Sequence, residues 1–164
     1  MTLQKLIFWS PLVLVLSGIY EILAGTQGLI GWALFMIGLI GLHARQAKKA
    51  GWFGYVGLGI LILGSVLSLI PVITGNNLFS SSFFISPTSK GIAYLLFETT
   101  IVVHTGYFLY GLATLKARIF PQTVGLLLIV TIALMLIAGN FGQGLGMAAI
   151  GIILWRSKSI GEPT

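Results

Sequence analysis

The chain of 164 residues contains no cysteine and no aspartate, and its only acidic residues are Glu21, Glu98 and Glu162. Without cysteine there is no disulfide, no thiolate metal site, no haem held through a thioether and no lipidated N-terminal cysteine. Without aspartate there is no Ser-His-Asp triad and no paired-aspartate metal motif, and neither Ser17 nor Ser65 has a base close by in the sequence. Charged residues make up 7% of the chain, whereas a soluble domain carries roughly a quarter. So little charge cannot hold a chain of 57% hydrophobic residues in water, and the mean hydropathy of +1.04 points the same way. The composition is that of an integral membrane protein, with lipid as its main solvent.

The net charge of +6 would direct a soluble domain toward polyanions. Here the cations sit in short segments between apolar runs, where they orient helices relative to the bilayer, so nucleic acid is not an expected partner. A membrane span needs about 20 largely apolar residues, because a helix rises roughly 1.5 Å per residue across about 30 Å of hydrocarbon. Four spans fit at about 6–24, 29–43, 52–73 and 91–115. The apolar stretch from Gln122 to Trp155 would be roughly 50 Å long as one helix, so it is broken at Gly139-Asn140-Phe141-Gly142 into two more. The expectation is an all-α bundle of six transmembrane helices forming a single domain over 1–164, with five spans and a re-entrant end as the alternative.

The turn at Gly25-Thr26-Gln27-Gly28 and the polar run from Ala44 to Ala50 join the first three spans. Residues 75–90, rich in Ser and Asn, form the one sizeable loop, expected on the extracytoplasmic side with Phe79, Phe83 and Phe84 at headgroup level. With a cytoplasmic N-terminus, Lys5, Arg45, Lys48, Lys49, Lys116, Arg118, Arg156 and Lys158 all fall inside and only Lys90 outside. The positive-inside rule therefore favours both termini in the cytoplasm. Lys5 precedes an apolar core, and Leu23-Ala24-Gly25 makes a poor cleavage site, so the first span is expected to stay as the membrane address rather than be removed as a signal peptide.

Gly38–Arg45 can be laid over Gly111–Arg118 with five identities in eight positions, a weak internal similarity between two helix ends of the same orientation. The second of these ends in Leu115-Lys116-Ala117-Arg118, followed by Phe120-Pro121 and Gly125 opening the next helix. This pattern resembles small uncharacterised bacterial multi-span inner-membrane proteins, over about a sixth of the chain. The resemblance implies a prokaryotic inner membrane and no particular activity.

Glu21 and Glu98 carry the most information, because a carboxylate inside hydrocarbon is costly unless paired, hydrated or protonated. Their predicted depths are similar, so they can face each other and share a proton; otherwise each stitches two helices, with Glu21 partly wet. Tyr94, Glu98 and Thr105 fall on one face of the fourth span, and Thr100, His104, Tyr107 and Gly111 form a neighbouring stripe. His104 near mid-depth is a relay, a ligand or a helix-to-helix hydrogen bond, whereas His43 beside Arg45 reads as an interface residue. The two histidines lie roughly 15 Å apart along the helix axes, which argues against bis-His haem, and one carboxylate with one His is too few for zinc. No cofactor or metal is expected. Gln27, Asn140 and Gln143 read as turn residues or as a ring around an outer opening.

The glycines favour close helix packing within the bundle or against a partner. The leading functional expectation is a non-catalytic accessory or structural subunit, or a bundle that binds a lipophilic ligand, alone with the bilayer or as part of a homo-oligomer or larger membrane complex. A small proton-coupled carrier or channel using Glu98, His104 and Glu21 is the alternative, and a membrane enzyme built on Glu98 and His104 comes third.

Overall fold

The computed structural model describes residues 3–24, 29–73 and 87–161, with side chains at 4, 5, 7–24, 29–67 and 101–157. These residues fold into four helices: α1 (Leu3–Ala24), α2 (Leu29–Ile73), α3 (Pro87–Ala117) and α4 (Gln122–Gly161). The expected count of six, and its variant of five with a re-entrant end, is thereby corrected to four. Three of them contain stretches long and apolar enough to cross a membrane, at Ile7–Ala24, Leu29–Leu67 and Gln122–Ser157, which marks the chain as a membrane protein by length and composition.

The physical reason lies at two glycines. The polar run 44–50 is not a loop, since helical hydrogen bonding continues to Ala50 and resumes after Gly51, the one residue there with non-helical backbone angles (φ 59°, ψ −161°). Gly139 plays the same part in α4 (φ 56°, ψ −134°), while Asn140, Phe141 and Gly142 are already helical. These angles belong to a region that essentially only glycine enters. The chain reverses at each one: Trp32 Nε1 donates to the Ser65 carbonyl, 33 residues further on and in the same helix (3.1 Å), and Gly146 lies against Thr131. α3 opens at Pro87, so 87–90 are helical rather than loop, and residues 75–86 of the expected loop lie outside the described residues. It closes on Arg118, whose left-handed φ of 51° ends the helix before Pro121 leads into α4.

The helices form a ring in which α1 touches α2 and α4, and α3 touches the same two. Small residues set its width. Gly18 and Gly144 face each other between α1 and α4, Gly111 and Gly125 between α3 and α4, and Gly57, Gly64 and Gly106 line the α2–α3 contact. Pro11 sits inside α1 and cannot donate to the Ile7 carbonyl, but the Ser10 hydroxyl does so instead at 2.9 Å, which keeps that acceptor satisfied in an apolar setting. Ser65, Thr114 and Thr131 likewise donate to carbonyls one turn earlier on their own helices.

Element order and the two reversals put the helix ends at 3, 50–52, 117–122 and 161 at one end of the ring. Lys5, Arg45, Lys48, Lys49, Lys116, Arg118 and Arg156 gather there, and the exposed Trp9, Trp52, Phe53, Tyr55 and Trp155 share that end. Arg45 lies over the Phe120 ring and Lys116 over the Phe53 ring. Amphipathic rings with cations beside them are what the boundary between hydrocarbon and headgroups selects.

Candidate functional site

The middle of the ring is not wholly apolar. Glu21 is completely buried, and neither carboxyl oxygen has a hydrogen-bond partner among the described residues. Its own helix gives it none: Ser17, one turn earlier, donates to the Gly31 carbonyl of α2 at 3.2 Å. The Cβ of Glu21 lies close to Gly144, so the missing side chain there lets the carboxyl sit between α1 and α4.

From across the ring comes Tyr107 of α3, fully buried, with its ring 6.1 Å from that of Phe35. The Tyr107 hydroxyl lies within electrostatic range of the Glu21 carboxyl, and Gln143 of α4 lies beside that hydroxyl. α1 and α3 are diagonal in the ring, so only long side chains bring them together. Helical side chains lean toward the N-terminus of their own helix. Because α1 and α3 run in opposite directions, that lean carries Glu21 and Tyr107 toward a common level.

A second polar group lies nearer the basic end. His43 is buried between Tyr55 and Tyr110, with ring centroids at 4.7 and 6.0 Å, and both of its nitrogens lack partners among the described residues. Gln46, one turn further along α2, donates to Thr114 Oγ1 at 3.0 Å, and its carbonyl oxygen has no partner among the described residues. The Tyr110 hydroxyl lies beside Gln46 and is also unpartnered by a well-formed hydrogen bond. Tyr107 and Tyr110 are one turn apart on α3 and join the two groups.

Of the residues singled out by the sequence, the structure brings Glu21 and Tyr107 together. His104 is half-buried one turn before Tyr107, with an unpartnered Nε2, and Thr105 is exposed. Tyr94, Glu98 and Thr100 lie on the helical backbone of α3, but their side chains, and with them the expected meeting of Glu98 and Glu21, lie outside the described residues. Glu21, expected to be partly wet, is fully enclosed, and His43, expected at the interface, is in the core.

Sequence reasoning missed Tyr110, Gln46 and the interior position of Gln143. A signal existed for each. Leu39, Leu42, Gln46 and Ala50 recur at three and four and are all buried, while Lys48 and Lys49 face out. On α4, Gln143, Met147, Ile150 and Leu154 make the same kind of stripe, and on α3 the buried series is Tyr107, Tyr110, Thr114 and Ala117. Stopping the second helix at His43 and placing a turn over 139–142 hid the first two.

Among the described residues no three histidine or glutamate side chains converge as metal ligands would. The groups that gather there are a carboxyl, two phenols, an imidazole and two amides, all of which can accept or donate protons. No family model matches this chain, and no curated protein and no solved structure matches it either.

Proposed function

We propose that this chain is a small multi-pass protein of a prokaryotic inner membrane that passes protons through its helical ring, with Glu21 as the proton-bearing group. The observation that carries this reading is the carboxyl of Glu21, entirely enclosed and without a hydrogen-bond partner among the described residues, with the buried Tyr107 approaching from across the ring and Gln143 beside the Tyr107 hydroxyl. An ionisable side chain kept in such a place is costly, and in membrane proteins it marks ion or proton pathways. His104, one turn from Tyr107, belongs to the same polar side of α3. The cations and aromatic rings gathered at one end of the ring support placement in a bilayer.

The accessory-subunit reading draws on glycine faces offered to partners. Gly18, Gly57, Gly64, Gly106, Gly111 and Gly125 are instead covered by the chain's own neighbours, whereas Gly59 has open space around it. That shifts the weight from the outer surface to the interior carboxyl.

The test is proton flux in vesicles of phosphatidylethanolamine and phosphatidylglycerol with a trapped pH-sensitive dye, driven by a potassium gradient and valinomycin. The wild-type protein should acidify or alkalinise the lumen well above protein-free vesicles, and Glu21→Gln should return the rate to background. A wild-type rate equal to that of empty vesicles, or a Glu21→Gln rate equal to wild type, refutes the proposal.

A further inference from the structure

Buried groups able to take part in proton transfer continue beyond Glu21. We infer that Tyr107, Tyr110 and His43 form a proton route linking Glu21 to the basic end of the ring, with Gln46 holding its inner end; this rests on the proton-conducting reading of Glu21. Three observations support it. Tyr107 and Tyr110 are fully buried and His43 nearly so, in a core where apolar side chains of similar size would pack without leaving polar atoms unsatisfied. Among the described residues, their hydroxyl oxygens, both nitrogens of His43 and the Gln46 carbonyl oxygen all lack a hydrogen-bond partner, as do both oxygens of Glu21. These residues also follow one another: Tyr107 comes within electrostatic range of the Glu21 carboxyl from across the ring, Tyr110 is one turn along α3 from Tyr107, and the Tyr110 and His43 rings are 6.0 Å apart.

The groups suit the task. A phenol accepts a proton on its oxygen while releasing its own, and a neutral imidazole accepts at one nitrogen and releases from the other, so each returns to its starting composition as a proton passes. Internal water completes the intervals, as it does for other buried polar groups that find no protein partner. The register of α1 against α2, read from Gly31 on Tyr20 and Gly38 on Leu14, puts Glu21 and His43 roughly 20 Å apart along the axis at about 1.5 Å per residue. The two tyrosines fall between them. Arg45 is turned toward Phe120 and Lys116 toward Phe53, so neither cation stands in the line.

Tyr107→Phe, Tyr110→Phe and His43→Phe keep the rings and remove only the transferring atoms. Each should lower the vesicle proton flux at least tenfold while leaving the thermal midpoint in detergent unchanged or raised. Tyr55→Phe, which keeps an exposed ring beside His43, should leave flux within twofold of wild type. A second readout is the infrared carbonyl band of Glu21 on transfer to deuterated water, whose exchange should be at least tenfold slower in Tyr110→Phe. If His43→Phe does not fold, the two tyrosine variants decide. Flux that is lost in Glu21→Gln but unchanged in Tyr107→Phe and Tyr110→Phe overturns the route and leaves the role of Glu21 standing. Absence of wild-type flux overturns both.

Discussion

Replacing Glu21 by Met separates a carboxyl kept for function from one that holds the helices together. Met is unbranched like Glu and fills a similar volume without polar atoms. In the folded ring the carboxyl is fully enclosed and neither oxygen has a hydrogen-bond partner among the described residues, so Met removes no bond. On an isolated α1 the same carboxyl stands three residues before the last helical residue, Ala24, or about 4.5 Å at roughly 1.5 Å per residue, and can reach toward water. Assembly of the ring takes that contact away. An enclosed polar group without a partner costs about 1–3 kcal/mol by mutational measures. Glu21→Met should therefore stabilise the protein by about that amount, a rise in thermal midpoint of roughly 2–10 °C for a chain of this size. The assay is thermal unfolding in a mild detergent, followed by intrinsic tryptophan fluorescence, with Glu21→Gln as the polar control expected near wild type. If Glu21→Met instead lowers the midpoint by several degrees, the carboxyl makes a bond that holds α1 in place, and the case for a functional carboxyl loses its main support.

Gly51→Ala should cost about 1–3 kcal/mol, because φ 59° and ψ −161° are almost closed to residues with a Cβ; no atom lies within 4 Å of the added methyl, so the loss is of backbone origin, seen as a lower midpoint in the same unfolding assay. At Gly106 the backbone is helical and the obstacle is the neighbour: a Cβ there would stand 2.6 Å from Leu61 Cα, so Gly106→Ala forces α2 and α3 apart at about 1–3 kcal/mol, while Gly59→Ala, facing open space, should be neutral or stabilising by up to about 1 kcal/mol. Thr114→Val removes the acceptor of the Gln46 amide and leaves that donor buried and unpaired, a loss of about 1–3 kcal/mol that Gln46→Leu combined with Thr114→Val should largely recover.

Much of this architecture can be read from the amino acids, because lipid leaves the backbone few options and helices satisfy their own polar groups. The all-helical character, the apolar stretches and the reversal at Gly139 follow from composition and spacing. The helix count did not follow. A break in hydropathy, such as Ala44 to Ala50, looks like a loop when polarity is the only criterion, yet its residues alternate between core and solvent with helical period, and a single glycine suffices to turn the chain. The same habit misplaced His43 and Gln143, which sit near the ends of apolar runs but on their inward faces. Exposure in a membrane bundle depends on helical phase as well as on distance from the nearest charge.

The buried polar groups divide into two sets that behave differently. Ser10, Ser17, Ser65, Thr114 and Thr131 all donate to backbone carbonyls, and Ser17 and the Gln46–Thr114 pair tie one helix to another. Short hydroxyl side chains thus meet their needs locally and supply the polar stitching that apolar helices gain in lipid. Glu21, Tyr107, Tyr110 and His43 stand apart from that pattern: larger, drawn from three helices and, among the described residues, left with unpartnered atoms. If their purpose were cohesion, Leu or Phe would serve better, since an enclosed polar atom without a partner weakens a core. Stability alone therefore does not account for the second set, whereas the proposed proton route gives each of its members a task.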